Sequence, residues 1–119
     1  EHACRAGATR PLGGTELGTV AWWSENSEGK PHPGGQKAPN SWGLFDLLGN
    51  VAEWTHDAYA PYEGTEATDP NGPAEGGVRV VRGGAYRSFA PAVRCAARVA
   101  TPPSHQLPHV GLRVVMEVP

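Results

Sequence analysis

The sequence predicts a loop-rich α+β domain of short antiparallel strands with many long loops and little helix. Three observations carry this. Sixteen glycines and twelve prolines, about a quarter of 119 residues, are spread between apolar clusters rather than gathered in one tract. Short runs of alternating or continuous aliphatics recur at 51–59, 78–81 and 111–118, bounded by turn residues. Only one stretch, Glu1–Arg5 (EHACR), reads as helix, and it runs into Ala6 and the stop signal Gly7.

In chain order, the helix at Glu1–Arg5 leaves no room for a start signal before it, so on this reading the chain begins inside a helix, as a fragment or cleavage product of a larger one would. Arg10–Thr19 (RPLGGTELGT) is turn-rich, and Val20–Trp23 (VAWW) fits a short strand or a helical turn. Ser24–Pro39 holds Gly, Pro, Ser, Asn and Lys, the composition of a surface loop. Gly49-Asn50 is a turn signal ahead of the extended run Val51–Tyr59. Ala60–Gly77 is the longest irregular stretch, centred on Asp69-Pro70-Asn71-Gly72-Pro73. Val78–Val81 is a strand ending at Gly83-Gly84, and Gly111–Val118 (GLRVVMEV) alternates well enough to be a closing strand. Four tryptophans indicate a packed core.

The formal net charge of −2, with no run of Lys or Arg, argues against a nucleic-acid groove. No segment approaches the roughly 18 consecutive apolar residues of a membrane span. Two cysteines, Cys4 and Cys95, are too few for a disulfide scaffold. They read as buried free thiols or as one long-range disulfide. His105 and His109 stand four apart, but Pro102, Pro103 and Pro108 argue against the helix that spacing would need, so they read as loop histidines. Asp46, within GLFDLLGN, reads as a turn-stabilising acceptor.

Glu53 is the residue that needs a partner. In an extended segment it shares a face with Val51, while Asn50, Ala52 and Trp54 share the other. An unpaired carboxylate among apolar residues costs several kcal/mol or takes up a proton. Three solutions are open on the residues alone. Arg79, Arg82, Arg94, Arg98 or Arg113 could pair with it, it could be protonated, or a calcium ion could be held by it and by carbonyls of the glycine turn.

Several stretches resemble one family. Glu1–Gly7 (EHACRAG), His32–Lys37 (HPGGQK), Asn40–Trp54 (NSWGLFDLLGNVAEW), Arg79–Tyr86 (RVVRGGAY), Arg94–Arg98 (RCAAR) and Gly111–Val115 (GLRVV) are similar, in order and spacing, to the formylglycine-generating enzyme or sulfatase-modifying factor family. The resemblance implies a C-type-lectin-like fold. It also implies that residues 1–119 form the C-terminal portion of one such domain. The N-terminal portion would then be missing or on another chain, and this half would not be stable alone. It implies a structural calcium held by the carbonyls of Leu48, Gly49 and Val51 and the side chain of Glu53. The family's second calcium site is not implied, because GTVAWWSENSEGKPHPGG departs from its pattern.

The same resemblance argues against the family's oxidase chemistry. Those enzymes hold copper with two cysteines shortly after the Gly-Gly motif, whereas no cysteine lies between Gly84 and Arg94 here. Ser88 stands near the first cysteine's place, and an alcohol is a poor ligand for soft Cu(I). No catalytic residue and no copper are expected. Cys4 and Cys95 each match a structural cysteine of the family but not partners of one another, so the resemblance does not imply a bond between them.

The expected role is a non-catalytic module for ligand or protein recognition, stabilised by calcium. Its surface would combine Arg87–Val93 with Val99–Val110, which resembles the variable segment of retroelement-diversified members, with Arg87, Phe89, His105, Gln106 and His109 as contact groups. The alternatives are part of an enzyme of another branch, sulfoxide-synthase-like or a maturation enzyme, with its catalytic residues outside this chain, and a structural subunit. The expected partners are the N-terminal portion of the same domain or a larger assembly, with a protein or small molecule as ligand.

Overall fold

Helix α1, His2–Arg5, is a single turn closed by the Glu1 carboxylate on Arg5 at 2.7 Å. Glu before Arg at i, i+4 is the favourable order for such a pair. The turn ends at Ala6, which takes the left-handed conformation (φ 47°) before Gly7, so the stop begins one residue earlier than the sequence suggests. A computed structural model describes residues 1–9, 14–62, 64, 72–73 and 75–118. Arg10–Leu12 and Asp69–Asn71, within two of the irregular stretches read above, lie outside the described residues.

Helix α2, Gly14–Val20, replaces the turn expected over Arg10–Thr19. Its sequence, GTELGTV, is rich in poor helix formers. Tertiary contacts supply what propensity lacks. Leu17 and Ala21 are buried with Trp23, Leu48 and Val93 in one core cluster. The last carbonyls of the helix find donors elsewhere: Lys37 Nζ donates to Gly18 O at 2.6 Å and Ala38 N–H to Thr19 O at 3.0 Å. Burying a leucine in this way stabilises by about 2 kcal/mol.

The sheet has the order β3-β2-β1-β4, formed by β1 Ala52–Ala58, β2 Arg79–Arg82, β3 Arg98–Thr101 and β4 Val110–Gly111. β1 and β2 pair antiparallel with Glu53 opposite Arg82 and Trp54 opposite Val81, and β2 and β3 pair antiparallel with Val81 opposite Val99. β1 and β4 pair in parallel, a departure from the all-antiparallel expectation. The expected face assignment of β1 holds. Ala52 is buried in a second cluster with Val81 and Ala85, against which Trp54 and Val110 pack, while Glu53 points to the other face.

The closing strand expected over Gly111–Val118 is reduced to Val110–Gly111, and Leu112–Val118 is exposed outside any strand. Alternation there meets no neighbouring strand among the described residues. Trp23 is buried, but Trp42 is 52% exposed, so the tryptophans do not all build core. Cys4 and Cys95 form a disulfide with Cα atoms 5.6 Å apart, joining α1 to the segment before β3. The chain therefore holds no free thiol, contrary to the free-thiol reading and to the view that the two are not partners.

Candidate functional site

The Gly49-Asn50 turn is the hub of the molecule. Both residues are left-handed, with φ of 71° and 59°. A Cβ on Gly49 would lie 2.2 Å from Trp22 O, so only glycine fits. Gly49 N–H donates to Gly83 O at 2.9 Å, Asn50 N–H to Trp22 O at 2.7 Å, and Tyr86 N–H to Asn50 O at 2.8 Å. The Asn50 side chain brackets His32, accepting from its N–H and donating to its carbonyl, each at 2.9 Å. The turn thus ties together Trp22, the middle of the Ser24–Pro39 loop at His32 and the Gly83-Gly84 turn.

This hub aims Glu53 at Arg113. The Arg113 Nε donates to both carboxylate oxygens at 2.9 and 3.1 Å, and Nη2 donates to Glu53 Oε1 at 2.7 Å, to Phe45 O at 2.9 Å and to Asp46 O at 3.2 Å. Of the five arginines open on the residues alone, Arg113 is the partner. The Glu53 side chain is 22% exposed, so it is half-buried rather than sealed in the core. The hydrogen bond to Glu53, against the opposing effect of burial, holds the Arg113 guanidinium above its ordinary pKa. Asp46 is an acceptor as expected, but for a neighbouring loop: its Oδ2 takes the Gly35 N–H at 2.6 Å.

Of the four residues expected to hold calcium, Leu48 and Gly49 are buried at the hub and Val51 and Glu53 follow on the way into β1. Among the described residues the carbonyls of Gly49 and Val51 accept no hydrogen bond. Main-chain carbonyls without a partner are the donors a hard, oxygen-seeking cation uses, but both Glu53 oxygens are already held by Arg113. Among the described residues no three His, Cys, Asp or Glu side chains gather as a metal cluster, so a cation here would depend on main-chain oxygen. Copper does not fit, because both sulfurs are in the disulfide.

The second region lies across the sheet. After Gly83-Gly84 the chain makes a tight turn in which Ser88 N–H donates to Ala85 O and Ala85 N–H to Ser88 Oγ, and then a 3-10 turn over Ala90–Ala92. Opposite it, β3 leads into the Pro102–His109 loop, which returns through Ala52 N–H donating to His109 O at 2.9 Å. A cavity of about 410 Å³ lies between these two segments. Of the five expected contact groups, His109 lines that cavity. Arg87, Phe89, His105 and Gln106 are exposed on the flanking segments, Phe89 at 73%. Ser88 and Thr101 fall within the expected surface segments Arg87–Val93 and Val99–Val110, but sequence reasoning did not single them out as cavity residues. It also missed a surface cluster in which the Arg98 guanidinium lies 4.7 Å from the Tyr59 ring centre and 4.2 Å from that of Tyr62.

A small curled sheet with short helices and long connecting loops makes this a C-type-lectin-like α+β domain, with a glycine-turn hub on one side and a loop-rimmed cavity on the other. The family model described as the sulfatase-modifying factor enzyme 1-like domain matches residues 1–118, and the chain belongs to that family. The formylglycine-generating enzyme of Mus musculus is 39% identical over 79 residues, covering 63% of this chain and 21% of that enzyme. The serine/threonine-protein kinase pkn1 of Chlamydia pneumoniae is 47% identical over 64 residues, covering 50% of this chain and 10% of that protein. Among solved structures, Treponema denticola variable protein 1 superposes with a TM-score of 0.87 at 34% identity, covering 92% of this chain and 42% of that one. PvdO from Pseudomonas aeruginosa superposes with a TM-score of 0.81 at 24% identity, a likeness of fold, covering 93% of this chain and 47% of that one. The chain thus spans less than half of each of these relatives.

Proposed function

We propose that the chain is a non-catalytic recognition module of the family, stabilised by calcium, whose loops bind a protein or small-molecule ligand. The observation that carries this reading is the disulfide: it takes both cysteines of the chain, leaving no thiol for copper-dependent oxidation, while Arg87, Phe89, His105 and Gln106 are exposed on the surface. Loops on a rigid sheet are where binding groups gather. The module works with the N-terminal portion of the same domain or within a larger assembly. The face for that partner is the groove of about 550 Å³ lined by Leu17, Val20, Leu44, Leu48 and Val93, which opens onto the main core cluster.

Calcium would be held by the carbonyls of Leu48, Gly49 and Val51 and by Glu53, where it would pin the hub. Arg113 shares Glu53 with it. Two experiments on the full-length polypeptide test the reading. Replacing Arg87, Phe89, His105 and Gln106 by Gly or Ser abolishes capture of the native partner while the melting temperature is kept; unchanged capture removes the recognition reading. Calcium raises the melting temperature over that in chelator, as mass action requires, and Glu53→Gln removes the difference. Identical melting with and without calcium removes the metal.

A further inference from the structure

The cavity between the Ala85–Ala92 turn and the β3–β4 connection has a composition that selects a ligand. Its walls are Ala52, Val81, Ala85, Val99, Leu107 and Val110. Three of these, Ala52, Val81 and Ala85, form the buried cluster on this face of the sheet. At about 410 Å³ it falls within the range of small-ligand sites.

Three polar groups reach into it. Thr101, 5% exposed, lines the cavity. The strand register explains its direction: Thr101 lies two residues after Val99 on β3, and Val99 stands opposite Val81, so all three share the cavity face. The Thr101 hydroxyl can donate to or accept from a bound polar group. Ser88 Oγ accepts from Ala85 N–H and keeps its own proton to donate. The His109 imidazole also lines the cavity with no hydrogen bond among the described residues.

The charges are one-sided. Arg94 and Arg98 line the cavity, and among the described residues no Asp or Glu does. The Arg98 guanidinium lies instead against Tyr59 and Tyr62, so the cationic character of the cavity rests on Arg94, whose Nε donates to Pro91 O. An ammonium group would find no anion here. A carboxylate would find hydroxyl donors and a cation.

We infer that this cavity binds an apolar group of phenyl or isobutyl size that ends in a carboxylate. The free acid and the C-terminal residue of a polypeptide share that chemistry. The inference deepens the recognition reading above by naming the ligand class for that face.

The test is a titration of the full-length polypeptide with phenylacetate, 2-phenylethanol and 2-phenylethylamine, followed by NMR shifts of Val81, Val99 and Thr101. Phenylacetate binds most tightly, and 2-phenylethylamine binds about tenfold more weakly or worse, the factor that one hydrogen bond to a charged group carries. Thr101→Val, which keeps shape, weakens phenylacetate about tenfold. Val99→Phe, at a wall position 57% exposed and so tolerant of substitution, blocks it. Equal binding of the three probes, no shift with any, or full binding by Thr101→Val overturns the inference. An acetylated dipeptide ending in phenylalanine, with a free or an amidated terminus, separates the sources: preference for the free terminus assigns a polypeptide end, and no binding of either assigns the small acid. The loop variant lacking Arg87, Phe89, His105 and Gln106 keeps phenylacetate binding, so failure of the surface reading and failure of the cavity reading are distinguishable.

Discussion

Replacing Cys4 and Cys95 together by alanine opens a covalent loop of 91 residues' separation. In the chain-entropy model a loop of that length removes about 15.5 cal/mol/K from the unfolded ensemble, or about 4.6 kcal/mol at 25 °C, and bonds of this kind typically deliver 2–4 kcal/mol. The native state also loses packing, since both cysteines lie against the main core cluster of Leu17, Trp23, Leu48 and Val93. With an unfolding entropy of about 2.1 cal/mol/K per residue, 2–4 kcal/mol corresponds to a fall in melting temperature of about 8–16 °C for a domain of this size. The assay is urea unfolding of the full-length polypeptide and the double variant, each with and without reductant. The reductant should destabilise the parent and leave the variant unmoved. A difference below about 1 kcal/mol between parent and variant, or two titratable thiols in the native parent, refutes the reasoning.

Four further outcomes follow from the geometry. Gly49→Ala forces a Cβ to within 2.2 Å of Trp22 O at φ 71°, and should cost upwards of about 3 kcal/mol in urea unfolding. Gly7→Ala, at φ 85° with open space around it, should cost about 1 kcal/mol in the same assay. Arg113→Met removes the fork on Glu53 and the donors to Phe45 O and Asp46 O, costing about 2 kcal/mol by urea unfolding, and should strengthen the calcium response by freeing the carboxylate. The hydrogen bond from Arg5 holds the Glu1 carboxyl below its ordinary 4.5. Its contribution is therefore fully present above that value and lost as pH falls through the depressed value. Acid should loosen α1, read as faster amide exchange at Arg5 and Ala6, by the few tenths of a kcal/mol of a surface pair.

What the sequence reveals and what it hides divide along a physical line. The Gly49-Asn50 turn, the run after it and Val78–Val81 were legible because turn chemistry and two-residue alternation are local. Helix α2 was not, because Gly14, Thr15, Gly18 and Thr19 disfavour it locally, and what holds it is Lys37 and Ala38 on its last carbonyls and the burial of Leu17. The tail Leu112–Val118 erred in the opposite sense: a good local pattern without a neighbouring strand among the described residues. Glu53 announced that it needed a partner, but its choice of Arg113 over four other arginines depends on where β4 leads the chain. The disulfide was hidden for the same reason, since a separation of 91 residues carries no geometric signal. Thr101 became visible only when the register with β2 fixed its face.

The hub at Gly49 and Asn50 is assembled almost wholly from atoms that every residue type possesses: peptide N–H groups and carbonyls of Trp22, His32, Gly83 and Tyr86, with a single amide side chain as the exception. A scaffold anchored in that way is indifferent to the identity of the side chains displayed beyond it. Combinatorial exchange at Arg87, Phe89, His105 and Gln106 would therefore leave the frame standing, which makes the domain a natural platform for selecting new binders from randomised libraries.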